Sequence, residues 1–263
     1  MDLGLKGRKA FITGASRGIG RAIAFALAAE GVHVALFGRD TPRCEAVAGE
    51  LRAKHAGQKA FAVWHDFEKT ESIKPAVDKA ARELGGVDIL VNCAGGAYRG
   101  RIGDIPDDAW ERYFKVKPLG LIRMTRETLP HLRQSDQGRV VNISGTRGRE
   151  PEAHSMMSGP INLGTLSLTK AMANEFGPYG ITVNAIAPGS TATRRWTELV
   201  EITARERAES PEQAEKYLLR EVPLGKVITP EAIAYLVVFL ASARAGLISG
   251  CAINVDGGRT RGI

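Results

Sequence analysis

Three glycines, Gly14, Gly18 and Gly20, punctuate the stretch Thr13-Gly14-Ala15-Ser16-Arg17-Gly18-Ile19-Gly20, and their spacing suits phosphate chemistry. Glycine lets a backbone turn tightly and approach a ligand closely, and a helix starting beside it offers unpaired N–H groups to an anion. A pyrophosphate fits such a place. The spacing G-x-x-x-G-x-G differs from the G-x-G-x-x-G of the general dinucleotide fingerprint, so the flanks decide its meaning. The mostly apolar run Lys9-Ala10-Phe11-Ile12 precedes the glycines, and Arg21-Ala22-Ile23-Ala24-Phe25-Ala26-Leu27-Ala28 follows them. Strand, glycine turn and helix in that order make a nucleotide cradle.

The elements that must position this cradle follow in alternation. Val32–Phe37 reads as a second strand whose tip, Gly38-Arg39-Asp40, falls where a dinucleotide fold meets the adenosine ribose. An acid there hydrogen-bonds the 2′-hydroxyl of NAD, and a base accepts the 2′-phosphate of NADP. Gly38 leaves room for a phosphate, and Arg39 and Arg17 bring two guanidinium groups, so NADP is expected rather than NAD. A helix over Thr41–His55 leads to a third strand, Lys59–Asp66, whose end puts Asp66 and Phe67 near the adenine. A helix over Thr70–Leu84 then leads to a buried strand that starts at Val87 and breaks into the glycine turn ending at Gly96. Strand runs that are continuously apolar, separated by helices, argue for a parallel sheet covered on both faces.

Composition narrows the partners. Hydrophobic residues at 44% and charged residues at 25% are ordinary for a globular protein with a sizeable core. The 36 Lys and Arg are scattered among 29 Asp and Glu, so the net charge of +7 implies an anionic cofactor, not nucleic acid. Cys44, Cys93 and Cys251 are odd in number and lack metal-ligand spacing, which predicts free intracellular thiols and no metal site. No signal-peptide pattern or membrane-length apolar run is present, so a cytoplasmic protein that binds no membrane is expected.

Taken together, the motifs resemble the short-chain dehydrogenases/reductases over nearly the whole length. They are T-G-A-S-R-G-I-G at 13–20, Asp66, N-C-A-G at 92–95, G-R-V-V-N-I-S at 138–144, G-I-T-V-N-A-I-A-P-G at 180–189, P-L-G-K at 223–226 and I-S-G-C-A-I-N-V-D-G-G at 248–258. The resemblance implies one α/β domain over residues 1–263, a Rossmann-like doubly wound seven-stranded parallel sheet with helices on both faces. It implies a helical substrate lid at about 190–222; beyond it, Pro230–Ser242 reads as an apolar helix and Cys251–Val255 as the closing strand. It also implies a homodimer or homotetramer acting on a small molecule. The cofactor residues implied at the adenosine and pyrophosphate end are Gly14, Ser16, Arg17, Gly18, Ile19, Gly20, Arg39, Asp66 and Phe67. Those toward the nicotinamide are Asn92, Ala94, Gly95, Asn162, Pro188, Gly189, Thr191 and Thr193.

The same resemblance exposes a departure. The family uses a tyrosine as proton donor, a lysine four positions later that lowers its pKa, a serine thirteen before it and an asparagine in the preceding long helix. Leu166-Ser167-Leu168-Thr169-Lys170 sets the register and puts Ser158 at the tyrosine position, Asn162 at the lysine and Gly145 at the serine. Lys117, in Phe114-Lys115-Val116-Lys117-Pro118, stands at the asparagine. A serine hydroxyl is a far weaker acid than a phenol, and Asn162 brings no charge to depress a neighbour's pKa. Lysine and asparagine are exchanged, so an ammonium is retained from the opposite wall if both side chains face the pocket. Ser144, His154 and Tyr98 are further candidate donors; Arg147, Arg149, Arg194 and Arg195 add charge that would attract a carboxylate or phosphate. Three readings follow: an NADP(H) oxidoreductase of a small carbonyl, enone or imine with a non-standard proton donor, a silent NADP(H) or metabolite sensor, and a non-redox lyase or hydratase.

Overall fold

The strands form because their residues are buried from both sides, and apolar β-rich runs suit that environment. In the computed structural model, which describes residues 1–96 and 98–262, they are β1 (Lys9–Thr13), β2 (His33–Gly38), β3 (Ala60–Trp64), β4 (Ile89–Asn92), β5 (Arg139–Ile143), β6 (Thr182–Pro188) and β7 (Ala252–Val255). They pair in parallel as one seven-stranded sheet in the order β3-β2-β1-β4-β5-β6-β7. The order reverses between β1 and β4, and a crevice at the carboxyl ends of the strands belongs at that switch point.

Helices cover both faces. On one, α1 (Gly18–Ala29), α2 (Thr41–Lys54) and α9 (Pro230–Ala241) bury Ile23, Leu27, Leu51, Ile233 and Val237 against Ile12, Leu36 and Ile186. On the other, α3 (Ile73–Leu84), α5 (Pro118–Leu132) and α6 (Ser158–Phe176) bury Val77, Leu121, Met124 and Phe176 against Phe11, Phe37 and Leu90. The remaining helices, α4 (Asp107–Val116), α7 (Arg194–Arg207) and α8 (Pro211–Leu219), stand at the carboxyl end of the sheet. Among the described residues no helix is long and apolar enough to cross a membrane.

The expected doubly wound sheet is present, with several boundaries moved by side-chain hydrogen bonds. β4 begins at Ile89, two residues later than the apolar run, because the Asp88 carboxylate accepts from Lys9 N at 2.9 Å and from the Ser135 hydroxyl at 2.6 Å. It ends at Asn92 because the Thr13 hydroxyl accepts from both Cys93 N and Ala94 N, each at 3.0 Å, and peels the loop off the sheet. The expected helix from Thr70 opens as a short 3-10 turn before α3. The charged stretch from Arg194 is two helices, because Ala208 takes a left-handed turn (φ 51) and Ser210 caps α8 by exchanging bonds with Gln213.

A buried polar chain ties the sheet to the helices behind the crevice. Asn92 Nδ2 donates to Thr125 Oγ1 at 3.1 Å and to Asn142 Oδ1 at 2.9 Å, and Asn142 Nδ2 donates to Thr169 Oγ1 at 2.9 Å. It pins β4 to α5 and β5 to α6. Replacing Asn142 by leucine strands a buried amide hydrogen of Asn92, and we expect a loss of about 1–3 kcal/mol in urea unfolding; a loss below about 0.5 kcal/mol would show that the polar chain is dispensable.

Candidate active site

A cleft of about 660 Å³ runs across the carboxyl ends of the strands, from Arg39 and Asp66 at one end to Ser144, Ser158 and Asn162 at the other. The glycine turn forms its floor: Gly14, Ser16, Arg17, Gly18, Ile19 and Gly20 all line it, as do Phe67, Ala94, Gly95, Lys117 and Thr193. Of the residues nominated from sequence as cofactor-binding or catalytic, Asn92, Pro188, Gly189 and Thr191 lie outside it. Asn92 points away into the buried polar chain, so it supports the cleft from behind. Pro188, Gly189 and Thr191 line a second cleft of about 470 Å³ that meets the first at Ser144, Ser158, Asn162 and Thr193.

The glycine turn is shaped for a close ligand. A Cβ on Gly20 would stand 2.3 Å from Gly14 O, and Gly14 has φ +68 with the Ala94 backbone 2.8 Å from where its Cβ would be. Only glycine allows that packing of turn, helix and N-C-A-G loop. Arg17, the N-cap of α1, provides no side-chain cap, so the first N–H groups of that helix face the cleft unpaired by it. Arg39 and Arg43 line the adenosine end beside Gly38; Arg39 is shared with Glu68 at 3.0 Å, and Arg43 with Asp40 at 3.5 Å. These features fit a dinucleotide carrying phosphate charge.

Among the cleft-lining residues that escaped the sequence reading are Arg43 and His65. Arg43 sits in the first turn of α2 and adds a second guanidinium beside the strand tip. His65 is wedged edge-on between Phe37 and Phe67, ring centroids 5.6 and 4.5 Å away, and both its ring nitrogens are without partners. Burial pushes its pKa down to about 4, so it is neutral near pH 7. Arg43 was legible as a base next to the tip; nothing in the sequence marked His65.

Lys117 occupies the joint between α4 and α5. Pro118, the first residue of α5, lacks an N–H and forces the chain to restart there. The lysine stem crosses Gly95, where a Cβ would lie 3.0 Å from its Cδ. Its Nζ then donates to Asn162 Oδ1 at 2.6 Å and to Ser144 O at 3.0 Å. Desolvation pushes the amine down to about 8, with the charge of Arg195 acting in the same direction and Cys93 opposing. Cys93 itself is pushed up to about 12 by burial, so it is a thiol at neutral pH.

Asn162 is delivered by the close approach of α6 to the turn after β5. A Cβ on Gly148 would stand 2.7 Å from Leu163 N, and one on Gly145 would stand 2.9 Å from Asn162 Nδ2. Gly145 therefore makes room for the amide that meets Lys117. The Ser144 hydroxyl donates to Asn162 O at 3.0 Å, which commits its proton to the scaffold. Ser158 opens α6 at the seam of the two clefts. Of the tyrosines, Tyr98 lines the second cleft and none lines the first. His154 is exposed and lines neither, Arg149 is turned to Ala252 O at 2.8 Å, and Arg194 pairs with Glu198 at 2.6 Å.

Comparison with known proteins agrees with this architecture. The family model described as enoyl-(acyl carrier protein) reductase matches residues 14–260. The chain is 34% identical over 257 residues to D-beta-hydroxybutyrate dehydrogenase of Cupriavidus necator, covering 97% of this chain and 98% of that protein. It is 35% identical over 258 residues to the 3-oxoacyl-(acyl-carrier-protein) reductase FabG of Aquifex aeolicus, covering 98% and 99%. The crystal structure of L-sorbose reductase from Gluconobacter frateurii, complexed with NADPH and L-sorbose, superposes with a TM-score of 0.95 at 29% identity and covers 100% of both chains. The chain belongs to the short-chain dehydrogenase/reductase family, as an oxidoreductase of that type.

Proposed function

We propose that this chain is an NADP(H)-dependent reductase of a small carbonyl, enone or imine compound, in which the ammonium of Lys117 replaces the tyrosine as proton donor. The observation that carries the reading is the place of that amine: inside the cleft, hydrogen-bonded to Asn162 and Ser144 and depressed toward neutrality. An ammonium has three N–H donors, and two of them meet these carbonyl oxygens, which leaves one for a substrate oxygen or nitrogen. Ser144 is a poorer acid because its proton is committed, and Ser158 because an aliphatic hydroxyl is a far weaker acid than an ammonium.

The bound nicotinamide would supply the hydride. The protein's part is to hold and to protonate. Arg17 and the amino end of α1 would hold the pyrophosphate, and Arg39 and Arg43 the 2′-phosphate, with Asp66 at the adenine. Asn162 keeps its Nδ2 for ribose hydroxyls while its Oδ1 aims Lys117. Dependence on NADPH is further supported by the relatives: L-sorbose reductase was solved with it, and the Bacillus subtilis reductase BacG is described as NADPH-dependent. The α7–α8 pair carries its own apolar cluster around Trp196, Val200 and Ala214, and serves as a lid over the second cleft.

The chain acts as a homodimer or homotetramer in this reading. The exposed apolar side chains of Phe114, Leu119 and Leu163 on α4, α5 and α6, of Tyr235 and Phe239 on α9, and of Leu247 before β7, supply the surfaces. Light scattering is expected to give two or four chains; a monomer at micromolar concentration would contradict it.

Reduction requires the protonated amine, so kcat/KM is expected to be level at low pH and to fall as pH rises through about 8. Lys117→Ala should lower NADPH oxidation by roughly 10²-fold or more, the usual contribution of a general acid, and unchanged turnover would remove Lys117 from the chemistry. NADPH should raise the melting temperature more than NADH does; equal shifts would sink the NADP assignment. NADPH binding with no oxidation across carbonyls, enones and imines would make the protein a sensor. Product formed with no change in nicotinamide absorbance would make it a lyase or hydratase.

A further inference from the structure

The nitrogen of Lys117 can act as a nucleophile as well as an acid. Deprotonated, the amine keeps two N–H groups and gains a lone pair. Two carbonyl oxygens, Asn162 Oδ1 at 2.6 Å and Ser144 O at 3.0 Å, are placed to accept from it. With both N–H groups held, the lone pair takes the remaining direction about the nitrogen, the one in which the ammonium would give its proton. Lys117 lines the first cleft, and both of its partners stand at the seam where the second cleft, of about 470 Å³, opens beside it. A small carbonyl compound lying across that seam presents its carbon to the amine.

The surroundings keep the amine reactive and in place. Among the described residues no Asp or Glu pairs with Lys117, whereas Lys74, Lys79 and Lys115 each pair with a carboxylate that holds them as ammonium ions. Burial and the charge of Arg195 both disfavour the ammonium of Lys117. A desolvated amine near another cation is a known route to a nucleophilic lysine close to neutral pH. Cys93, a second nucleophile on the same wall, is a thiol there and does not compete. The lysine stem is wedged over Gly95, 3.0 Å from where a Cβ would lie, so the nitrogen is anchored at both ends.

We propose that Lys117 is also a covalent catalyst, whose neutral amine adds to the carbonyl carbon of a small ketone or aldehyde and forms a Schiff base. The C–N bond forms as the carbonyl π bond breaks, and a proton passes from nitrogen to oxygen to give a carbinolamine. The nitrogen lone pair then expels that oxygen, which takes one further proton and leaves as water, and the C=N bond is complete. The Ser158 hydroxyl lines both clefts and makes no side-chain hydrogen bond among the described residues, so it is placed to relay that proton from water. Hydrolysis runs the same steps backwards, and the net activity is exchange of the carbonyl oxygen with water, with no oxidant or reductant consumed. The inference uses the position of the amine and not the hydride, so it does not rest on the reductase reading.

The test is capture of the amine in the presence of saturating NADP⁺, which allows no reduction of a ketone. Pentane-2,4-dione condenses with a neutral lysine amine to a stable vinylogous amide that absorbs in the near ultraviolet and adds mass to the peptide. At pH about 8, peptide mapping by mass spectrometry is expected to find the adduct on Lys117 about tenfold or more faster than on the exposed Lys6 and Lys226. Butanone in ¹⁸O-labelled water should exchange its oxygen about tenfold or more faster with the wild-type protein than with Lys117→Arg, whose unchanged melting temperature checks that it is folded. Adducts on Lys6 and Lys226 with Lys117 unmarked, or exchange that survives in Lys117→Arg, overturns the proposal. With NADPH in place of NADP⁺, adduct and exchange but no loss of ketone would sink the reductase reading alone. Ketone reduced by a protein whose Lys117 stays unmarked by the dione would sink this inference alone.

Discussion

The hydrogen bond from Lys117 Nζ to Asn162 Oδ1, 2.6 Å long, joins the two walls of the cleft, and the candidate chemistry depends on it. One partner hangs from the break between α4 and α5, the other from the second turn of α6. Each is in place because of a residue that does no chemistry itself. Pro118 breaks the helix, Gly95 lets the lysine stem pass, and Gly148 lets α6 settle onto the turn after β5. Gly145 leaves space for the Asn162 amide. These residues are therefore mutually consistent, since each fits the geometry that the others create.

The electrostatics follow from what Lys117 does not have. Its hydrogen-bond acceptors are carbonyl oxygens, not a carboxylate, so its charge is hydrogen-bonded but uncancelled. Desolvation and Arg195 both disfavour that charge, which is why the amine is depressed to about 8. A group poised there can give a proton near neutral pH and recover it from solvent. Positive charge extends from Arg17 in the glycine turn to Lys117 along the first cleft, a field suited to an anionic cofactor.

Much of this was legible in the sequence, for local reasons. The apolar strand runs, the glycine turn and the closing strand are each set by neighbours within a few residues, and they predict the doubly wound sheet. The ends of β4 were not legible, because Asp88 and the Thr13 hydroxyl redirect backbone bonds between segments far apart in the chain. Asn92 illustrates the same limit: its motif marks it as a cofactor residue, but its side chain is spent on Thr125 and Asn142 behind the wall. The exchange of lysine and asparagine was visible as an alignment, but not its consequence. A side chain at a helix break has no periodic face to predict its direction, and only the packing of Gly95 and Asn162 decides that Lys117 turns inward.

The most direct measurement is the titration of the Lys117 amine by ¹⁵N NMR of lysine-labelled protein, with the signal assigned by its loss in Lys117→Arg. A midpoint near 8 is expected for an ammonium held inside the cleft by two carbonyls. A midpoint near 10.5, the value of a lysine in water, would place the amine in solvent and contradict the account.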